Sequence, residues 1–124
     1  MNAAAMPAAA LAALLADCAG GICAESAAVG LIARHGHVLH QPALRRLIVT
    51  SASAGEPVAV IRWNAAILAL DHGRLTGSPS EKAVLRIAAS IADAGIAVRL
   101  GASLGSLDRR NIALVTDAIT AANG

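Results

Sequence analysis

The sequence predicts an all-α protein, a compact single domain of five or six short helices over residues 1–124, of which we expect the first few to be disordered. Three observations predict this class. Alanine accounts for 32 of the 124 residues, and no other residue forms helix as well. Capping residues and closing glycines punctuate the chain, mainly in its second half. The absence of Phe and Tyr, with a single Trp, excludes an aromatic-cored β-sandwich.

A capping box predicts where one helix begins. Ser78 is placed to accept a hydrogen bond from the third amide of the helix, Pro79 suits the first position, and Glu81 can reach back to the cap. Gly95 is suited to follow its last turn. The inward face of this helix is predicted from 3.6-residue spacing to contain Val84, Leu85, Ala88, Ile91 and Ala92.

The last helix is predicted to run from an N-cap at Asp108 to about residue 122. Arginine is unfavourable for the helix dipole at an N-terminus, so we expect Arg109 and Arg110 to serve a partner or an intramolecular carboxylate. The inner stripe is predicted to comprise Ile112, Val115, Ile119 and Ala122, with Leu114 and Ala118 beside it.

Four further helices are predicted, over residues 8–17, 22–35, 42–49 and 63–71. Trp63 begins the last of them and is expected to anchor the core, with a place at an interface as the alternative. Segments 57–61 and 97–100 have β-like patterns, but two such pieces are too few for a sheet. The stretch 50–56 is predicted to be irregular.

Charge and the N-terminus restrict the class of protein further. Nine Arg and one Lys against five Asp and three Glu give a net charge of +2, an excess that salt screens and that does not require nucleic acid. No basic residue precedes Arg34, which disfavours a secretory signal. Asp17 interrupts the N-terminal apolar run before it reaches membrane-spanning length. We therefore expect a cytoplasmic protein with two reduced thiols.

One spacing resembles that of a two-Cys, two-His zinc finger. Cys18 and Cys23 are followed after eleven residues by His35 and His40, and His37 adds a third imidazole. A finger of that type places its cysteines on a β-hairpin, whereas these two flank a Gly-Gly pair at a predicted helix start. The pattern favours two buried thiols and a helix-end imidazole over a metal site, and we expect no cofactor. Metal binding by these five residues stays open.

The run GASLG at 101–105 matches the nucleophile elbow G-x-S-x-G and follows a strand-like segment. An elbow presents its serine to a histidine that arrives later in the chain. No histidine follows Ser103, because His72 is the last one, and the chain is too short for a hydrolase sheet. Ser103 is therefore expected to be a loop hydroxyl or a cap. We expect no catalytic residues.

A basic cluster supplies the candidate macromolecule-binding residues, Arg34, Arg45 and Arg46. Two helices joined by a short turn at this point would resemble a helix-turn-helix, with Arg45 and Arg46 directed outward to phosphates. The alternative is a solvated helix face. Without aromatic side chains there is no stacking platform, which disfavours single-stranded nucleic acid.

Several runs after about residue 20 share the pattern of one family: Ala24-Glu25, GLIARHG at 30–36, Ile61 and Trp63 with ALD at 69–71, LRIAASIA at 85–92 and LDRRN at 107–111. On these residues the chain resembles a family of small, uncharacterised actinobacterial proteins. The resemblance implies an all-helical fold. Its motifs are caps and apolar faces, and it assigns no catalytic or binding residue to this chain. Relatives are expected to carry an acidic residue at the position of Arg62 and an aromatic at that of Cys23. These departures weaken the helix cap before Trp63 and the zinc interpretation.

The function predicted from the sequence is a non-enzymatic protein-interaction or regulatory domain. We expect it to bind itself as a homodimer or to bind another protein, and not to contact a membrane. The motivation is the lack of a complete catalytic set. The alternative is a duplex DNA-binding accessory protein that uses Arg34, Arg45 and Arg46.

Overall fold

The computed structural model describes residues 3–53 and 56–124, which contain seven α-helices, two short 3₁₀ helices (Ala3–Ala5 and Val38–His40) and one β-hairpin. The helices are α1 (Ala8–Ala19), α2 (Cys23–His35), α3 (Pro42–Arg45), α4 (Trp63–Asp71), α5 (Pro79–Ala92), α6 (Leu100–Leu104) and α7 (Arg109–Ala122). The strands are β1 (Ile48–Ser53) and β2 (Glu56–Ile61). Five of these helices exceed two turns, and the prediction of a predominantly helical fold is confirmed.

Helix α2 lies at the centre of the fold and packs against α1, α5 and α7. Its buried face includes Ala28, Val29, Leu31 and Ile32. Gly36 ends the helix in the left-handed region, with φ 91°, and its N–H donates to the Ile32 carbonyl. The outer helices therefore share one apolar centre.

Helix α1 buries its leucines in the same core. Leu11 and Leu15 are buried, and the helix packs against α2 and β2. Met1 and Asn2, where disorder was expected, lie outside the described residues, whereas Ala3 is buried. In the part of the chain that the structure describes, no helix is long and apolar enough to cross a membrane.

The capping box at the start of α5 is confirmed. The Ser78 hydroxyl accepts from the Glu81 N–H at 3.2 Å, and the Glu81 carboxylate accepts from the Ser78 N–H at 3.5 Å. The Gln41 amide donates to the second Glu81 oxygen at 3.1 Å. Val84 and Ala88 are fully buried as predicted. The capping box thus fixes the start of this helix, and the Gln41 bond connects that start to the residue before α3.

A two-stranded antiparallel hairpin corrects the expectation that the β-like segments form no sheet. The helix expected over 42–49 ends at Arg45, because the β-branched run that follows favours an extended backbone and pairs with β2. Ile48 lies opposite Ile61, and both are buried. Two strands suffice because α1 packs against β2. Segment 57–61 is extended as expected, and residues 54–55 of the predicted irregular stretch lie outside the described residues.

The inner stripe of α7 also differs from the prediction. Leu114, Val115 and Ala118 are buried, whereas Ile112 and Ile119 are 37% and 52% exposed. The predicted stripe and the buried one both follow the 3.6-residue helical repeat, so spacing alone could not decide which of them faces the core. The small side chain of Ala118 permits close approach to α2, and this rotates the two isoleucines toward solvent.

The single tryptophan is a core anchor, as predicted. Trp63 is 6% exposed, and its indole N–H donates to both carboxylate oxygens of Glu25, at 3.1 and 3.0 Å. This bond ties the start of α4 to the first turn of α2. Arg62 occupies the N-cap of α4, but its side chain makes no cap hydrogen bond. The bond between Trp63 and Glu25 is therefore a side-chain contact that holds the start of α4 in place.

Replacing Glu25 by Ala is expected to lower the free energy of unfolding by about 1–3 kcal/mol, because the buried indole N–H loses its acceptor. Urea unfolding followed by Trp63 fluorescence measures the loss, since the chain has no other Trp. Glu56→Ala, on an exposed strand position, is the control and is expected to have little effect. Equal losses in the two variants would contradict the proposed contact.

Candidate functional site

Arg34 is part of a contact between α2 and α7. Its guanidinium pairs with Asp117 at 3.0 Å, and both side chains are more than half exposed. The Arg34 carbonyl accepts from the guanidinium of Arg110 at 3.0 Å. Arg110, expected to serve a partner or a carboxylate, therefore caps a carbonyl in the last turn of α2, a favourable place for a cation.

Arg45 and Arg46 differ in their surroundings. Arg45 is half-buried, and its guanidinium donates to the carbonyls of Leu39 and Met6, each at 2.6 Å. Arg46 is exposed. The prediction that both side chains point outward therefore fits Arg46, whereas Arg45 is turned toward the protein. Arg45 connects the N-terminal segment to the turn before α3. Duplex DNA binding by these arginines stays a prediction.

The structure does not bring the cysteines and histidines together. Cys18 and Cys23 are exposed free thiols, which corrects the expectation of burial, and the Cys18 sulfur accepts from the Ala59 N–H at 3.3 Å. His35 is buried, and its ring lies edge-on to that of His37 with centroids 5.7 Å apart. Within residues 3–53 and 56–124, no three Cys, His, Asp or Glu side chains are grouped closely enough to hold a metal ion.

Ser103 lies inside a helix and not on an elbow. Residues 96–99 form a loop, so the strand-like pattern at 97–100 gives no strand, and α6 begins at Leu100. The Ser103 N–H donates to the Arg99 carbonyl within the first turn of α6. The strand-to-helix turn that a nucleophile elbow requires is not formed here.

A cleft between α5 and α6 is lined by several charged and polar side chains. It has a volume of about 620 Å³. The residues that line this α5–α6 cleft are Pro79, Lys82, Ala83, Arg86, Ala97, Val98, Arg99, Ala102, Ser103 and Ser106. Three are cationic, two carry hydroxyls, and none is a carboxylate. Arg86 also pairs with Asp71, outside the lining, at 2.8 Å.

The sequence alone does not predict this cleft. Lys82 and Arg86 are four residues apart and face outward on α5, which is the signal that was available. Arg99 and Ser103 reach the same cleft only because the loop after α5 brings α6 back along it. That return is a tertiary arrangement that no local spacing encodes.

The outer face of α7 is a second candidate surface. We define it by its exposed residues Ile112, Ala113, Thr116, Ile119 and Thr120. The Thr116 hydroxyl donates to the Ile112 carbonyl at 2.9 Å, and the Thr120 hydroxyl donates to the Thr116 carbonyl at 3.1 Å. Because both hydroxyls are bonded to backbone carbonyls of the helix, the threonines add little free hydrogen-bonding capacity to this face. None of these five residues carries an ionisable group.

A polar cluster surrounds the C-terminal end of α2. His35 is 4% exposed, and its Nδ1 has no hydrogen-bond partner among the described residues. Burial lowers the pKa of His35, and the neighbouring charges of His37 and Arg110 lower it further, against the opposing effect of Glu81 and Asp108. The folded protein therefore favours the neutral imidazole.

Glu81, in the same cluster, keeps its charge. Burial raises its pKa, but hydrogen bonds from the Ser78 backbone and hydroxyl and from Gln41 outweigh burial and lower it overall. The carboxylate thus holds the α5 cap and the Gln41 amide together. This cluster thus connects the end of α2 to the starts of α5 and α7.

Comparisons of the chain with protein-family models, with curated proteins and with solved structures found no match. The resemblance to the small actinobacterial family stays a prediction. Function is therefore inferred from the geometry of two surfaces, the α5–α6 cleft and the outer face of α7.

Arg45→Ala is expected to lower the free energy of unfolding by about 1–3 kcal/mol, because the Leu39 and Met6 carbonyls lose charged donors. The adjacent Arg46→Ala is a matched control and is expected to change it by less than about 0.5 kcal/mol. Urea unfolding curves of both variants measure the difference. A loss of similar size in both would show that the Arg45 contacts do not stabilise the fold.

Stability is expected to fall as the pH decreases below 6.5, the ordinary pKa of histidine. The His35 pKa is lowered in the folded state, so in this range the unfolded chain takes up a proton that the folded chain does not. Above pH 6.5 both states are neutral and the stability is fully present.

His35→Leu is expected to flatten this dependence on the acid side of pH 6.5. The test is the free energy of unfolding measured at several pH values in wild type and variant. His72→Leu, at an exposed position, should retain the wild-type slope. Loss of stability below pH 4.5 should persist in His35→Leu, because the lowered pKa of Glu81 acts there. An unchanged slope in His35→Leu would contradict the assignment.

Proposed function

We propose that this protein is a non-enzymatic interaction domain that self-associates as a homodimer through the outer face of α7. The observation that carries the proposal is the exposure of Ile112 and Ile119 among small, uncharged side chains on the outer face of α7. Contiguous apolar surface on a soluble protein commonly marks an interaction site. The exposed free thiols Cys18 and Cys23 suit a reducing compartment, and we propose the cytoplasm.

Charge complementarity favours a second copy of α7, in antiparallel orientation, as the occupant. Helical spacing places Arg109 at the N-terminal end of the same face, where it is unfavourable for the dipole of its own helix. In an antiparallel pair with two-fold symmetry, each Arg109 lies beside the C-terminal carbonyls of the opposite helix, which favour a cation. Arg110 is already bound to the Arg34 carbonyl, so Arg109 is the residue available for this role.

The shape of the face suits helix packing. The helix has 14 residues and is about 21 Å long, which allows contact over several turns. Ala113 and the two threonines are small enough for close approach, and the isoleucines supply the apolar area. One helix per subunit buries less than a standard interface, so the dimer is expected to be reversible.

Ile119→Glu is expected to weaken dimerisation about tenfold or more, because the new carboxylate would be desolvated against the apolar Ile112 of the opposite helix. Sedimentation velocity over a range of protein concentrations measures the dissociation constant. Leu68→Glu, on α4, is the matched control, because the two side chains have nearly equal exposure, 51% against 52%. Circular dichroism of each variant checks that the helices are retained.

A second variant tests the orientation. Arg109→Ala is expected to weaken dimerisation at low salt and much less at high salt, because the proposed contact is electrostatic and exposed. A wild-type protein that stays monomeric at the highest concentration would overturn the proposal. So would a dimer that Leu68→Glu disrupts as strongly as Ile119→Glu.

A further inference from the structure

The α5–α6 cleft contains three cationic side chains, and no carboxylate of the described residues neutralises two of them. Neither Lys82 nor Arg99 pairs with a carboxylate of the described chain, and Arg86 has the single partner Asp71. Lys82 and Arg86 lie four residues apart on α5, a spacing at which like charges destabilise a helix. An arrangement that is unfavourable for the helix alone becomes favourable when an anion occupies the cleft.

Neutral donors and small apolar groups complete the lining. Ser103 lines the cleft although the residue is only 7% exposed, and Ser106 is exposed at the rim. A hydroxyl can donate to an anionic oxygen without adding charge. Pro79 and Val98, with three alanines, form the apolar part of the wall. The site therefore combines oxyanion recognition with room for an uncharged ligand body.

We propose that the α5–α6 cleft binds a small phosphorylated molecule that lacks an aromatic ring. The cleft has a volume of about 620 Å³, which falls within the range of small-molecule sites and is larger than a single oxyanion requires. A phosphoryl dianion has three terminal oxygens for the lysine, the arginines and the hydroxyls, whereas a carboxylate has two. No aromatic side chain lines the cleft, so a nucleobase would have no stacking platform.

The test is a titration of the ¹⁵N-labelled protein followed by backbone amide shifts. The probes are a hexose 6-phosphate, the parent hexose, citrate and a nucleoside monophosphate. Saturable shifts confined to residues 79–86 and 97–106 with the hexose phosphate, and none with the hexose, are the expected result. Equal or tighter binding of citrate would overturn the phosphoryl assignment. Tighter binding of the nucleotide would overturn the exclusion of aromatic ligands.

Charge-matched variants separate a built site from general attraction of anions. Lys82→Gln combined with Arg99→Gln is expected to weaken hexose phosphate binding about tenfold or more. Arg62→Gln combined with Arg74→Gln removes the same charge from exposed positions outside the cleft and is expected to retain affinity. Equal weakening in both pairs, or no binding to wild type, would overturn the proposal. The outer face of α7 shares no residue with the cleft, so this result is independent of dimerisation.

Discussion

The structure depends on the close approach of alanine-lined helices to α2. Ala28 on α2, Ala88 on α5 and Ala118 on α7 are all buried, and small side chains at such contacts let helix axes come near each other. Each contact buries little apolar area, so the core needs many of them around one helix. This explains how a chain with one aromatic residue forms a core. Alanine, nearly half of the hydrophobic residues, supplies contact surfaces, and the aliphatic side chains fill the space between them.

Polar contacts at both ends of α2 fix the positions of α4 and α7. At its first turn Glu25 accepts from the Trp63 indole and positions α4. At its last turn the Arg34 carbonyl accepts from Arg110 and positions α7. Contacts between alanine-lined helices allow one helix to shift along the other, because successive turns present similar surfaces. A hydrogen bond between two specific atoms prevents such a shift. Burial of apolar surface thus holds the helices together. The hydrogen bonds at the two ends of α2 fix how far the neighbouring helices are shifted along their axes.

The sequence predicts what local chemistry decides. The bounds of α5 and α7 follow from caps at Ser78 and Asp108, and Gly36 marks the end of α2. It does not predict the hairpin, because the apolar residues after Pro42 suit a helix as well as a strand, and the deciding partner is β2. Nor does it predict the face of α7 or the α5–α6 cleft. Both depend on how separate helices meet, and spacing within one helix contains no such information.

Both candidate surfaces follow from the constraint on α2. Because α7 approaches α2 through Leu114 and Ala118, its branched residues Ile112 and Ile119 are left outside. Because α5 turns Val84 and Ala88 toward α2, Lys82 and Arg86 are directed to the side where α6 returns. The apolar face and the cationic cleft are therefore the reverse sides of two buried contacts. A substitution that changes the packing of α2 is expected to disturb both surfaces together, whereas one at either surface leaves the other intact.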